Sequence, residues 1–529
     1  MSSIIGLTPT YGHDFCATLI KDGKILYALE EDKLTGQKSN VIVDSFPIKS
    51  MESITANYGV SLENCDHIAI ARPYSFDFFP KKYRTDSIAT KIKSYSHHQC
   101  HTYGSYFTSG MEGKVITMSL DGSGIRSRSK IYKCDDNVPD LIASSWFPTA
   151  YSIANIYGCA TQHLGWKILK DEGKTVGLAA HGKVNQRVYN YLKTNIKLDG
   201  LIHKSSDWYS VFQYFCDKLG KEGWFEKEDL RADFAATVQK FAEDIVIELL
   251  TEIKRRYPDY NKLCLSGGLF ANVKINQRIN ESNLFDEIFI HQAMGDSGLA
   301  VGAAINKALE LGEITKPFKQ DNVYLGESFS KEAWLQELSR HQDVEISIFS
   351  PSKVANLING GAIVGIFMGR TEYGPRALGN RSIVVRPTDP ETHKKLNERL
   401  KRTEIMPFAP SVLSEYADQI FHCDKSKYSA EFMTLCFNTR KEWLNKIPAV
   451  VHRIDGTSRP HIVKKSANPI YHSIIEEYRK LSGFPIVLNT SFNAHGEPIN
   501  NYPYQVLKHL KDGSVDCIAT EDFIIYKKK

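Results

Sequence analysis

Three stretches of this chain follow one plan: an apolar run, a glycine-rich turn, then a second element. They read "KVITMSLDGSG", "KLCLSGGLFANVKINQRI" and "GDSGLAVGAAINKALELG". A strand that ends in glycines and leads into a helix is the building unit of α/β folds. Its turn leaves backbone N–H groups where an anion can sit. The amino-terminal segment adds three short predicted strands, "SIIGLTP", "CATLIKD" and "KILYALE", the last two joined as a hairpin by Asp22-Gly23.

A similar hairpin returns at "KVITMSLDGSG" followed by "KIYKC", so the predicted architecture is duplicated, in the manner of the actin-like ATPase (ASKHA) folds. Between about 185 and 260 the pattern turns helical. Phe234, Val238, Phe241, Ile245, Leu249 and Ile253 recur every three or four residues, as one buried helix face requires. The polar, proline-bearing stretch 312–335 reads as a domain boundary with few apolar contacts. Beyond it a second α/β module is predicted, with strands in "GAIVGIFMG", "RSIVVRP", "FPIVLNTSF" and "CIATEDFIIYK" and helices in "PETHKKLNERLKR" and "NPIYHSIIEEYRKLSG".

Composition narrows the function classes. The 66 basic and 61 acidic residues of this 529-residue chain nearly cancel, to +5. That balance argues against nucleic-acid binding, which needs concentrated cations. The ten cysteines form no CxxC pair, so a thiolate zinc site is not expected. No apolar run approaches the length of a membrane span, and the first residues lack a secretory pattern, so the expectation is a reducing cytoplasm and no membrane partner.

Several residues are candidates for chemistry. In "SHHQCHTYG", His97 and His101 are four apart and share one helical face, close enough to share a metal. Asp121 in "SLDGSG" and Asp296 in "MGDSG" each close a predicted strand beside glycines. Two imidazoles and two carboxylates make a site suited to iron, manganese or zinc. A polar helix face with two turn-forming aspartates would read the same way. His13, in the first turn, suits a general base or an ordinary turn. "SGGLFAN", with Gly267, Gly268 and Asn272, is a turn able to approach a nucleotide, though it matches neither a P-loop nor a complete GxGxxG. The loop "GRTEYGPRALGNRS" sets Arg370, Arg376 and Arg381 among glycines with only Glu372 to balance them, which suggests a polyanion pocket. "DGTSRPHIV" adds Arg459, and "VLNTSFNAHGEPIN" adds Asn489, Ser491 and Asn493 at a strand end.

Together these motifs resemble the NodU/CmcH family of O-carbamoyltransferases. "HDFCATLIKDGKILYALEEDKLTGQK", "HHQCH", "LDGSG", "DEGKTVGLAAHGK", "LSGGLFANVKIN", "GDSGLAVGAA", "GRTEYGPRALGNRSI", "MPFAPSVL", "HRIDGTSRP" and "VLNTSFNAHGEPI" stand in the family's order, nearly end to end. The resemblance implies a TsaD-like, actin-like domain over 1–322 with its helical insertion near 185–260, and a YrdC-like domain over 333–529. The second would turn carbamoyl phosphate and ATP into carbamoyl-adenylate and pyrophosphate. The first would pass the carbamoyl group to a hydroxyl of a small-molecule natural product.

By position, the resemblance makes His97, His101, Asp121 and Asp296 ligands of one divalent metal, iron before manganese or zinc. Magnesium would accompany ATP. It makes His13 the base for the acceptor hydroxyl. Lys38, Gly122, Lys174, Gly267, Gly268 and Asn272 would line the nucleotide or carbamoyl-adenylate site of the first domain. Arg370, Arg376, Arg381, Lys401, Arg402, Arg459, Asn489, Ser491 and Asn493 would line the carbamoyl-phosphate and ATP pocket of the second. Partners are then small molecules alone, and the protein a monomer or homodimer. The sequence departs from the family at "LKRTEIMPFAPS", where Met406 replaces an arginine and Arg402 is the nearest substitute, and at Gly173 and His181, where aromatic residues are common. Transfer to tRNA as a threonylcarbamoyl group, or a non-catalytic nucleotide-binding scaffold, are the competing expectations.

Overall fold

The computed structural model describes residues 2–9, 14–38, 46–72, 79–124, 127–146, 152–205, 208–402, 406–423 and 425–528. The chain forms two compact units. One comprises Met1–Ile68, Ser75–Ile92 and Gln320–Lys529, and the other Ala69–Tyr74 and Lys93–Lys319. Thus the first unit draws on both ends of the chain.

The first sheet contains β1 (Ser3–Thr8), β2 (Cys16–Lys21), β3 (Lys24–Glu30), β4 (His67–Ala71) and β5 (Ile92–Tyr95), ordered β3-β2-β1-β4-β5. Strands β1 to β3 form an antiparallel meander. Its tight turn has Asp22 at φ 53° and Gly23 at φ 72°, the two positive angles that a two-residue hairpin of matching twist demands. The second sheet repeats this plan. Here β6 (Val115–Gly124), β7 (Ser127–Asp135) and β8 (Val138–Ser144) are the antiparallel meander. After the hairpin of β9 (Ile196–Asp199) and β10 (Ile202–Ser205), strands β11 (Lys262–Ser266) and β12 (Glu287–Ile290) complete the order β12-β11-β6-β7-β8, with β11 parallel to both β6 and β12. In both sheets the third, second, first, fourth and fifth strands of a run lie side by side in that order, which is the duplication expected from the repeated hairpins.

The stretch near 185–260 is mainly helical, with helices Gln186–Asn195 and Glu228–Arg256. The longer one buries Phe234, Val238, Phe241, Ile245, Leu249 and Ile253, as their spacing predicts. The β9–β10 hairpin inside it was not expected. Its signal is Asp199-Gly200, with Gly200 at φ 61°, between short alternating runs.

The carboxy-terminal part is built on an eight-stranded mixed sheet. It contains β13 (Val344–Ile348), β14 (Val364–Phe367), β15 (Arg381–Val385) and β16 (Ala409–Leu413). A separate two-stranded pair, β17 (Phe437–Asn438) and β18 (Thr457–Ser458), precedes β19 (His461–Val463), β20 (Ile486–Ser491), β21 (Cys517–Ala519) and β22 (Phe523–Lys527). The sheet order is β13-β22-β21-β14-β15-β20-β16-β19. Helices Pro351–Asn359 and Pro469–Ser482 cover it, burying Val354, Ile358, Tyr471, Ile474 and Ile475 against Val364 and Val487. The stretch read as a loosely packed boundary is better packed than expected: Val323 and Leu325 are buried, and Leu325 C=O accepts the Ala28 N–H. Among the described residues no helix is long and apolar enough to cross a membrane.

Candidate metal centre and arginine loop

Two helices assemble the metal candidates of the second unit. The His97–Thr108 helix starts at its first histidine, and His101 lies one turn on. The Gly298–Glu310 helix starts just after Asp296. They cross backbone to backbone: a Cβ on Gly302 would lie 1.9 Å from the Cys100 carbonyl oxygen, and one on Gly104 3.3 Å from Gly302 Cα. Glycine at the crossing is therefore what lets Asp296 reach the histidines. Asp121 arrives from β6, immediately after the buried Val115–Leu120 run. Glycines frame it. Gly267, at φ 97°, passes so close to Leu120 that a Cβ would lie 2.2 Å from its carbonyl oxygen. The Gly122 and Gly268 N–H groups donate to Asp121 Oδ1 at 2.6 and 3.3 Å.

The four side chains converge, their ligating atoms within 4.8 Å of one another. Asp121 Oδ2 lies 2.8 Å from His97 Nε2 and 3.1 Å from His101 Nε2, and Asp296 Oδ1 lies 3.8 and 3.5 Å from the same nitrogens. Donor separations of about 3–4 Å suit one cation bonded at about 2.0–2.2 Å to each ligand. Burial alone would raise both carboxyls. The hydrogen bonds from His101 and His97 outweigh it at Asp121, held well below the usual range, and the charges of His97 and Arg72 bring Asp296 to about 2. Burial also disfavours imidazolium. His97 is net lowered despite Asp296, whereas hydrogen bonds to Asp121 and Asp296 leave His101 raised. The residues present thus offer ionised carboxylates and inward-facing ring nitrogens, and they fit a divalent cation. His98, between the two, is a buried packing residue: its Nε2–H donates to the Ser127 carbonyl and its Nδ1 accepts from Ser119.

Sequence reasoning missed Arg72. It follows β4, donates Nε–H to His97 Nδ1 at 2.8 Å, and donates from a terminal nitrogen to Asp296 Oδ2 at 2.7 Å. Its only sequence signal is a cation directly after the apolar "IAIA" run.

Other second-unit candidates have partners of their own. Asn272 caps the Val273–Glu281 helix, its Oδ1 accepting the Lys274 and Ile275 N–H groups. Lys174 pairs with Asp171 at 3.0 Å. In the first unit His13 lies outside the described residues, and Lys38 is exposed.

The arginine loop divides its three cations. Arg381 is fully buried, stacks on the Phe367 ring at 3.7 Å, and donates to the carbonyls of Met368, Asn380, Glu327 and Gly369. Arg370 donates to the carbonyls of Gly326, Leu26 and Leu325. Both guanidinium groups therefore hold the loop's shape. Arg376 and Arg459 are only half-buried, and Lys401 is exposed with φ 52°. Glu372 Oε1 accepts the N–H groups of Leu378, Asn380 and Arg381, which closes the loop on itself. Lys33 ties it to the first sheet: it pairs with Glu30 at 2.8 Å and donates to the carbonyls of Glu372 and Gly374, while Glu30 accepts the Gly374 N–H. Beside the loop, Arg402 donates to Thr490 Oγ1, Ser491 and Asn493, and Asn489 donates to the Ala377 carbonyl. The structure thus gathers Arg402, Asn489, Ser491 and Asn493 beside the loop that carries Arg376.

Comparison with known proteins gives the same family as the motifs. Residues 79–305 match the family described as Carbamoyltransferase N-terminus, and residues 355–527 match Carbamoyltransferase C-terminus. The uncharacterized protein MJ1058 of Methanocaldococcus jannaschii is 34% identical over 83% of this chain and 74% of its own length. Nodulation protein NolO of Bradyrhizobium diazoefficiens is 30% identical over 82% of this chain and 79% of its own. Among solved structures, component A of the (R)-2-hydroxyglutaryl-CoA dehydratase of Acidaminococcus fermentans covers 58% of this chain and 97% of its own, at 15% identity and a TM-score of 0.38, too slight a likeness to carry an argument. With both halves of the family present in order on a duplicated α/β frame, the chain belongs to the carbamoyltransferase family and is an enzyme of that class.

Proposed function

We propose that this enzyme is an ATP-dependent O-carbamoyltransferase. It hydrolyses carbamoyl phosphate with one water to carbamate and phosphate, joins a carbamate oxygen to the α-phosphorus of ATP to give carbamoyl-adenylate with loss of pyrophosphate, and passes the carbamoyl group to a hydroxyl of a small-molecule natural product. The observation that carries the transfer half is the quartet of buried His97, His101 and Asp296 with half-buried Asp121, which turns one oxygen of each carboxylate toward the two ring nitrogens. A divalent cation held there, iron before manganese or zinc, would supply Lewis-acid polarisation of a phosphate or carbonyl oxygen.

The chain's own groups divide the remaining work. His13 takes the proton of the acceptor hydroxyl as its oxygen bonds to the carbamoyl carbon and AMP leaves. Lys174 offers a cation to the departing phosphate, and Gly122, Gly267 and Gly268 keep the turns around Asp121 narrow. In adenylate formation Arg376, Arg459 and Lys401 meet the phosphate anions, since a guanidinium can grip two oxygens at once. Arg370 and Arg381 serve that pocket by shaping its loop. Arg402 orders Ser491 and Asn493 as its polar wall and takes over for the family arginine that Met406 replaces.

The test is pyrophosphate release from the full chain with carbamoyl phosphate, ATP and magnesium, followed by a screen of acceptor alcohols for the mass of one added CONH unit. Release that needs both substrates is expected. Release from ATP alone, or none at all, would refute the adenylate step. Transfer to tRNA but to no small alcohol would overturn the acceptor class.

A further inference from the structure

Arg72 sits in a costly conformation. Its φ of 82° lies in the left-handed region, where a non-glycine residue is strained and persists only if its surroundings impose it. The surroundings do: its N–H is held by the Tyr95 carbonyl at 2.8 Å, and its side chain is only 14% exposed. The side chain spans two of the four candidate ligands, His97 Nδ1 and Asp296 Oδ2.

These two contacts differ in kind. Arginine has donors only, so His97 Nδ1 accepts and the ring proton sits on Nε2, facing Asp121. Ligation through Nε2 would send that proton to Nδ1 and break the contact with Arg72. The contact with Asp296 has no such conflict, because a carboxylate can accept from arginine on one oxygen and ligate with the other. Asp121 is treated the same way by backbone: Gly122 and Gly268 take Oδ1 and leave Oδ2 facing the histidines. Each carboxylate therefore has one oxygen tied outward and one turned inward.

We propose that Arg72 is a positioning residue that limits Asp296 to a single ligating oxygen and so keeps coordination positions of the bound cation open for substrate oxygens. Four single donors leave about two positions on an octahedral ion, whereas a bidentate Asp296 leaves about one. Removing the guanidinium also removes a positive charge beside the cation. The Arg72→Met protein should therefore bind a divalent ion at least as tightly as the parent while offering it less open coordination.

This inference rests on the cation reading of the quartet, and its test does not use carbamoyl transfer. Full-length protein is titrated with Mn(II) alone, and the water-proton relaxivity of the bound ion counts its exchangeable waters. About two waters in the parent and about one in Arg72→Met, with affinity undiminished, is the expected result. Arg72→Lys, which keeps a cationic donor for Asp296, should retain the parent count. One water or none in the parent would overturn the proposal whether or not the methionine variant folds. An unchanged count in a folded Arg72→Met would do the same. No Mn(II) binding by the parent would remove both this proposal and the cation reading beneath it, leaving adenylate formation to be judged by pyrophosphate release.

Discussion

Gly302→Ala adds one methyl group where the structure leaves no room. The new Cβ would lie 1.9 Å from the Cys100 carbonyl oxygen and 2.5 Å from its carbon, whereas contacts under 3.0 Å are essentially never seen. Relief from 1.9 to 3.0 Å needs a shift of about 1.1 Å, and no side chain can rotate away, because the obstacle is helix backbone. Overpacking of this kind costs about 3 kcal/mol at the upper end of its range, and alanine's helical advantage over glycine returns about 1 kcal/mol, leaving about 2 kcal/mol of destabilisation. The same shift carries Asp296 away from His97 and His101, now 3.8 and 3.5 Å off, beyond the span of one shared cation. Urea unfolding and Mn(II) calorimetry read the two effects, with at least a tenfold loss of affinity expected. Gly173→Ala is the matched control. It lies in the Glu172–Ala179 helix with nothing within 4 Å of its added Cβ, so it should be neutral or mildly stabilising. An unchanged urea midpoint and Mn(II) affinity in Gly302→Ala would refute the claim that the glycine crossing sets the site.

Four further outcomes follow from the same geometry. Arg381→Met should lose roughly 2–3 kcal/mol in urea unfolding, since the Met368 and Gly369 carbonyls lose their guanidinium donor, while those of Asn380 and Glu327 keep the N–H groups of Met368 and Thr371. Arg376→Ala should fold within about 1 kcal/mol of the parent yet lose pyrophosphate release. Burial pushes His461 down to about 3, so below its unfolded value of about 6.5 only the unfolded chain takes up that proton. Stability therefore falls as pH drops from about 6.5, by about 2 kcal/mol at pH 5 from this group, and His461→Asn should show a shallower pH dependence of the urea midpoint. Saturating Mn(II) should raise the melting temperature of the parent but not of Asp121→Asn, and a chelator should reverse the rise.

Local pattern carried much of the reading. His97 and His101 were legible because one helical turn fixes their common face, and Asp121 because an apolar run ends just before it. The Asp22-Gly23 hairpin and the buried stripe of the Glu228–Arg256 helix were legible for the same reason: their periods are properties of neighbouring residues. Arg72 had no such signal, since its partners lie 25 and 224 positions away. Arg370, Arg376 and Arg381 look alike in "GRTEYGPRALGNRS", yet two of them are enclosed by carbonyls.

The amino-acid order by itself determined the α/β class, the duplicated hairpin plan, the family and the histidine–aspartate set, because each rests on local spacing or on motifs read in order. Only the tertiary structure decided which cations are enclosed by backbone carbonyls, which oxygen of each aspartate is tied outward, and how near Asp296 comes to the histidines. Those outcomes depend on groups far apart in the chain, and on a helix crossing that a single methyl group would prevent.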